Sequence, residues 1–137
     1  MAVKPERTGW RDLGLSLRHR EWGDVCAGTD IDFLFVEYDY GKPVALIEYK
    51  NEHAAVPDLS HANYKAMRAL ANKSDIPCYL CRYASDYTWF EVTALTPLAA
   101  RLLRCDKKLL CERRYVKFLY YLRRQKLPEE IEATLIS

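Results

Sequence analysis

The sequence predicts an α/β fold, a mixed central sheet with flanking helices, on three observations. Segments of helical period alternate along the chain with short runs of strand composition. Two of those runs, residues 31–36 (IDFLFV) and 44–49 (VALIEY), are separated by EYDYGKP, whose Gly41 and Pro43 are turn residues, so they read as a hairpin. No internal repeat and no Gly/Ser/Pro-rich linker divides the 137 residues, so a single domain over 1–137 is expected.

The elements follow in order. Residues 9–20 (GWRDLGLSLRHR) place Trp10, Leu13 and Leu17 at helical spacing, a first amphipathic helix interrupted only by Gly14. The hairpin comes next, as two buried strands. Asp58 is a cap for a second helix, on which Leu59, Ala62, Ala66 and Leu70 recur before a break at residues 75–77. Residues 78–83 and 88–95 read as two more strands, joined by the polar turn 84–87. Thr96-Pro97 is a cap followed by a first-turn proline, which starts a helix over 97–103. A last helix covers residues 111–125, closed by Pro128, with a short acidic tail after it.

Composition excludes some classes. Half of the residues are hydrophobic and 29% are charged, the balance of a globular chain rather than a disordered one. No run approaches the roughly 18 apolar residues that cross a bilayer, and residues 1–14 carry no apolar signal core. A cytoplasmic protein with no membrane partner is expected, its five cysteines reduced. The net charge of +2 says little, but its distribution says more. Residues 31–60 hold six acids against two bases, and residues 101–126 hold ten bases against two acids. A phosphate-cleaving site needs both, acids for a cation and bases for the backbone.

Three charged residues, Asp32, Glu48 and Lys50, interrupt or end the most apolar strands. Charges are rarely buried unless paired or bound to metal. Glu48 and Lys50 are two apart, so they share a face. A turn centred on Tyr40 sets Asp32 opposite Glu48, where Cβ atoms lie about 4.5–5.5 Å apart. A divalent cation between the two carboxylates would relieve their repulsion, and Lys50 adds a positive charge beside it. That is the equipment of metal-assisted phosphodiester hydrolysis. The alternative is a solvated edge hairpin, which the apolar flanking residues disfavour.

At these residues the chain resembles the PD-(D/E)xK nuclease superfamily, whose core is restriction-endonuclease-like and Holliday-junction-resolvase-like. TDIDFLFV is similar to the strand bearing its metal-binding aspartate, and ALIEYK to its E-x-K strand. The resemblance implies an αβββαβ core over about residues 10–95, with residues 96–137 as a helical extension. It implies Asp32, Glu48 and the backbone carbonyl of Tyr49 as ligands of Mg2+ or Mn2+, and Lys50 as the catalytic lysine. No proline precedes the aspartate, and Asp30 stands at the adjacent same-face position. Further candidates are Glu21 from the end of the first helix, His19, and Asn63 or Lys65 on the helix after the lysine.

Cys78 and Cys81 form a C-x-x-C, but residues three apart in a strand point to opposite faces, so buried reduced thiols are expected. On the last helix Tyr115, Phe118, Leu119 and Leu122 share one face, and Arg113, Lys117, Tyr120 and Arg124 the other. The second face suits a phosphate backbone. The function expected is a Mg2+-dependent endonuclease acting on nucleic acid, DNA in preference to RNA. A homodimer or partner protein would extend so small a domain. The alternative is a non-catalytic nucleic-acid- or protein-binding module that retains the fold.

Overall fold

The computed structural model describes residues 13–23, 28 and 31–137, and the chain divides into two compact units, Met1–Asp30 and Ile31–Ser137. The described part of the first unit centres on helix α1 (Leu13–Glu21). Leu15 and Leu17 form no buried stripe. They are separated by roughly 200° of helical turn, and both are more than half exposed. Trp10 lies outside the described residues.

The second unit is built on a five-stranded sheet of sequential order, β1 (Phe33–Glu37), β2 (Lys42–Asn51), β3 (Cys78–Tyr83), β4 (Phe90–Ala94) and β5 (Lys107–Leu110). It is mixed: β2 and β3 are parallel and the other three pairs antiparallel. Parallel neighbours cannot be joined by a tight turn, and helix α2 (Ala62–Lys73) makes the crossover. Two strands, not the expected three, stand between α1 and α2 among the described residues. The stretch after β2 is taken up by turns instead, with Asn51 Oδ1 accepting from the His53 N–H and Asp58 Oδ1 from the Ser60 N–H.

Hairpin register follows the predicted turn, with Phe33↔Ile47, Leu34↔Leu46 and Phe35↔Ala45 paired. A bulge after Phe35 then shifts the pairs to Val36↔Pro43 and Glu37↔Lys42, because Tyr38–Tyr40 form a 3-10 turn closed by Gly41 at φ 59°. The hairpin is not wholly buried as expected. β1 is an edge strand, so Phe33 and Leu34 keep 45% and 47% of their surface.

Alternation sorts β2 and β3 between two cores. Ala45, Ile47, Tyr79 and Cys81 pack with Ala99 and Leu103 of helix α3 (Pro97–Leu103) and Tyr115 of helix α4 (Glu112–Leu122). Leu46 and Cys78 pack on the other face with Met67 and Ala71 of α2. Cys78 and Cys81 are therefore free thiols on opposite faces, both pushed up by burial, to about 11 and about 12. The C-terminal segment, expected as an extension, supplies the fifth strand and part of this core.

Three local expectations are corrected. Asp58 does not cap α2; it closes a turn on Ser60, and His61 Nδ1 caps the helix by accepting from the Asn63 N–H at 3.2 Å. The stripe Ala62–Ala66–Leu70 is exposed and Met67 and Ala71 are buried, because two alanine methyls cover less of Leu46 and Cys78 than a methionine does. Helix α4 ends at Leu122, not near Pro128. Arg123 caps the helix with its side chain on Glu37 through two hydrogen bonds of 2.8 and 3.2 Å, Arg124 takes φ 58°, and Pro128 opens a short helix α5 (Glu129–Glu132).

Candidate active site

Asp32 directly precedes β1, and extending the Phe33↔Ile47 pairing by one residue brings it opposite Glu48. Its carboxyl is within hydrogen-bonding reach of Glu48. Lys50, two residues along β2, places Nζ 3.5 Å from Glu48 Oε1. The three predicted residues are thus together on the α2 face of the sheet. Glu48 is the most enclosed, its side chain 13% exposed against 34% for Lys50. Burial first, then the hydrogen bond and charge of Asp32, push the Glu48 acid up to about 7, with Lys50 pulling the other way. Near neutral pH Glu48 therefore holds a proton that a cation can replace.

A fourth group was not foreseen. Tyr64 is half-buried on α2, and its phenol is pushed up by burial and by the carboxylates of Glu48 and Asp32, so it stays protonated near them. Asn63 and Lys65, the candidates on this helix, flank it and are exposed. The available signal was spacing: Tyr64 lies three and seven residues before Met67 and Ala71, the positions that α2 buries.

Tyr49 has two ends with different roles. Its hydroxyl meets that of Tyr115 on the opposite face. Its carbonyl belongs to the other edge of the strand: Leu46 N–H donates to Pro77 O, so even-numbered residues of β2 bond toward β3 and odd ones toward β1. The β1 pairs end at Phe33↔Ile47, which leaves the Tyr49 carbonyl on the edge beyond them, next to Glu48. Two carboxylates and a carbonyl form an all-oxygen set, and Mg2+ takes one or two carboxylates with water and phosphate completing its shell. The donor chemistry fits such an ion. Among the described residues no group of three or more His, Cys, Asp or Glu side chains is placed to hold a metal, so the set rests on this pair and the main chain.

The remaining candidates are placed as follows. Asp30 lies outside the described residues. Glu21 and His19 belong to the first unit, where Glu21 is paired with Arg18 at 3.0 Å and His19 lies edge-on to the Trp22 ring. On α4, Tyr115, Phe118, Leu119 and Leu122 pack inward as expected. The basic face is partly covered by the chain's own tail: Lys117 Nζ is 2.9 Å from Glu132 Oε2, and the Arg113 N–H donates to Ile136 O. Arg123 lies over the Tyr120 ring, 4.9 Å from its centre, and Arg124 is exposed.

The unit is thus a mixed α/β domain with a carboxylate pair and a lysine on one face of its sheet. Comparison with models of protein families, with curated proteins and with solved structures gives no match. No helix among the described residues is long and apolar enough to cross a membrane.

Proposed function

We propose that this protein is a metal-dependent nuclease hydrolysing phosphodiester bonds, in DNA in preference to RNA, with the restriction-endonuclease-like core that the PD-(D/E)xK resemblance implies. The observation that carries the reading is the Asp32–Glu48 pair, two carboxyls in mutual reach, one pushed up to about 7, with Lys50 beside them. Asp32, Glu48 and the Tyr49 carbonyl would hold Mg2+ or Mn2+. Such an ion supplies Lewis-acid polarisation of the phosphoryl group and a lower pKa for water. Glu48 would give up its proton to hold such an ion, and its enclosure keeps the charge from being screened. Lys50 carries a positive charge at the open side of the pair, where it orients water or meets charge developing on phosphate oxygens. Tyr64 lies on the helix side, near enough for the charges of both carboxylates to reach its phenol.

Lys50→Ala is expected to abolish cleavage of plasmid, single-stranded and branched DNA while fold and Mg2+ binding persist. Asp32→Asn and Glu48→Gln are expected to weaken both binding and cleavage, with Asp30→Asn as the mild control. A folded wild-type protein that neither binds Mg2+ or Mn2+ nor cuts any nucleic acid, relative to EDTA, ends the proposal. One observation favours a second reading: Asp32, Glu48 and Lys50 also satisfy one another without an ion. That suits a non-catalytic module that binds nucleic acid or protein, and cation titration separates the two.

A further inference from the structure

We propose that the turn between β3 and β4 is a stacking subsite for an unpaired base of single-stranded nucleic acid, with Tyr87 as its platform. The inference rests on the reading that this domain acts on nucleic acid, and it names the substrate class.

Tyr87 is 52% exposed and sits at φ 62°, a left-handed conformation that favours glycine or asparagine. The turn holds it there. The Tyr87 N–H donates to Ala84 O at 2.8 Å, the Ala84 N–H to Trp89 O at 3.1 Å, and Asp86 Oδ1 accepts from both the N–H and the hydroxyl of Thr88. Its ring neighbours are near-parallel and laterally offset: Tyr83 lies at 15° with centroids 6.1 Å apart and Phe90 at 12° and 6.5 Å, while Phe90 lies 9° from the buried Tyr115 with centroids 4.6 Å apart. Tyr87 is the most exposed ring of this group. It is the member with ring surface left to cover, and every nucleobase offers a flat ring to cover it.

The platform is tied to the cluster through β2. Lys50 pairs with Arg82 and Asn51 with Tyr83 in the parallel ladder. Asn51 Nδ2 donates to Ser85 Oγ at 3.0 Å, and the Glu52 N–H donates to Tyr83 O at 2.8 Å. The turn is thus fastened to the two residues that follow Lys50, a distance of less than about 10 Å along a strand. The rings around Tyr87 belong to the α3–α4 face and Arg82, Lys50 and Glu48 to the α2 face, so a chain whose base rests on Tyr87 would pass around the strand ends to reach them. Bases inside a duplex are stacked on both sides and have no face to give, so this arrangement selects unpaired nucleotides.

The test is an anisotropy titration of the full chain with a short fluorescent single strand, as DNA and as RNA, and with a blunt DNA duplex, all in EDTA so that nothing is cut. Tyr87→Gly removes the ring and relaxes the backbone, so its fold is retained. It is expected to weaken single-strand binding about tenfold and to leave duplex binding unchanged, while Tyr87→Phe stays near wild type. The DNA and RNA arms show which backbone the site accepts. Equal affinity of Tyr87→Gly and wild type for the single strand, or equal losses for single strand and duplex, overturns the subsite. Cleavage by wild type alongside either result leaves the nuclease reading standing. A selective loss in a protein that cuts nothing supports the subsite and removes that reading.

Discussion

Glu48 stands between its two charge states at neutral pH, because burial and Asp32 raise its acid to about 7 against an ordinary 4.5. The folded chain therefore holds a proton that the unfolded chain has lost between those values, and stability falls as pH rises from about 4.5 through about 7. The effect is on the order of 2 kcal/mol. Denaturant melts at pH 5 and pH 8 are expected to show wild type less stable at the higher pH, with that share of the difference missing in Glu48→Gln; equal pH dependence in both proteins counts against a raised Glu48. Under the proposed function the sign carries to metal: Mg2+ affinity is expected to fall about tenfold per pH unit below 7, read by calorimetry. This pair was legible in the sequence because strand alternation has a period of two and a turn centre fixes register. Tyr64 was not, because α2 offers two apolar phases and only packing on Leu46 and Cys78 selects one.

Strands and helices were legible in proportion to how much apolar surface each buries. Residues 78–83 and the inward stripe of α4 were read correctly, since Tyr79, Cys81 and Tyr115 are nearly inaccessible. β5 was missed: of Lys107, Lys108, Leu109 and Leu110 only Leu110 is buried, so no alternation marks it. The end of α4 was misplaced because the chain breaks at Arg124, which takes φ 58° with no glycine or proline to mark it in the sequence. The acidic tail has a further consequence. The ion pair with Lys117 holds the Glu132 acid below its usual range, with Arg113 and Lys126 adding to it, so under the proposed function α5 would compete with phosphate for the basic face. Glu132→Gln is expected to raise nucleic-acid affinity at low salt and to steepen the log-log salt slope by about 0.9, one added phosphate contact. The triple change of Arg113, Lys117 and Arg124 to alanine moves both quantities the other way. An unchanged slope in both variants returns this face to packing.

At the scale of the whole chain, the cluster and both cores lie in the second unit. All five strands, the α2 face and the α3–α4 face are formed from residues 31–137, and Asp32, the first member of the cluster, is the second residue of that unit. This boundary gave no sequence signal, since no linker composition marks it and helical spacing in residues 9–20 continues the pattern of the rest. Residues 31–137 produced alone are therefore expected to unfold in one cooperative transition, with a Tm within a few degrees of the full chain, because every described member of either core lies within them. Mg2+ binding should survive as well, the proposed donors all being present. Cleavage then becomes the informative measurement. If it persists, Glu21 and His19 have no part in the chemistry and Asp32, Glu48 and Lys50 suffice. If the fragment is folded and binds the ion yet does not cut, residues 1–30 supply a group the reaction needs, and Glu21→Gln and His19→Ala in the full chain identify which. A fragment that melts without cooperativity contradicts the division itself.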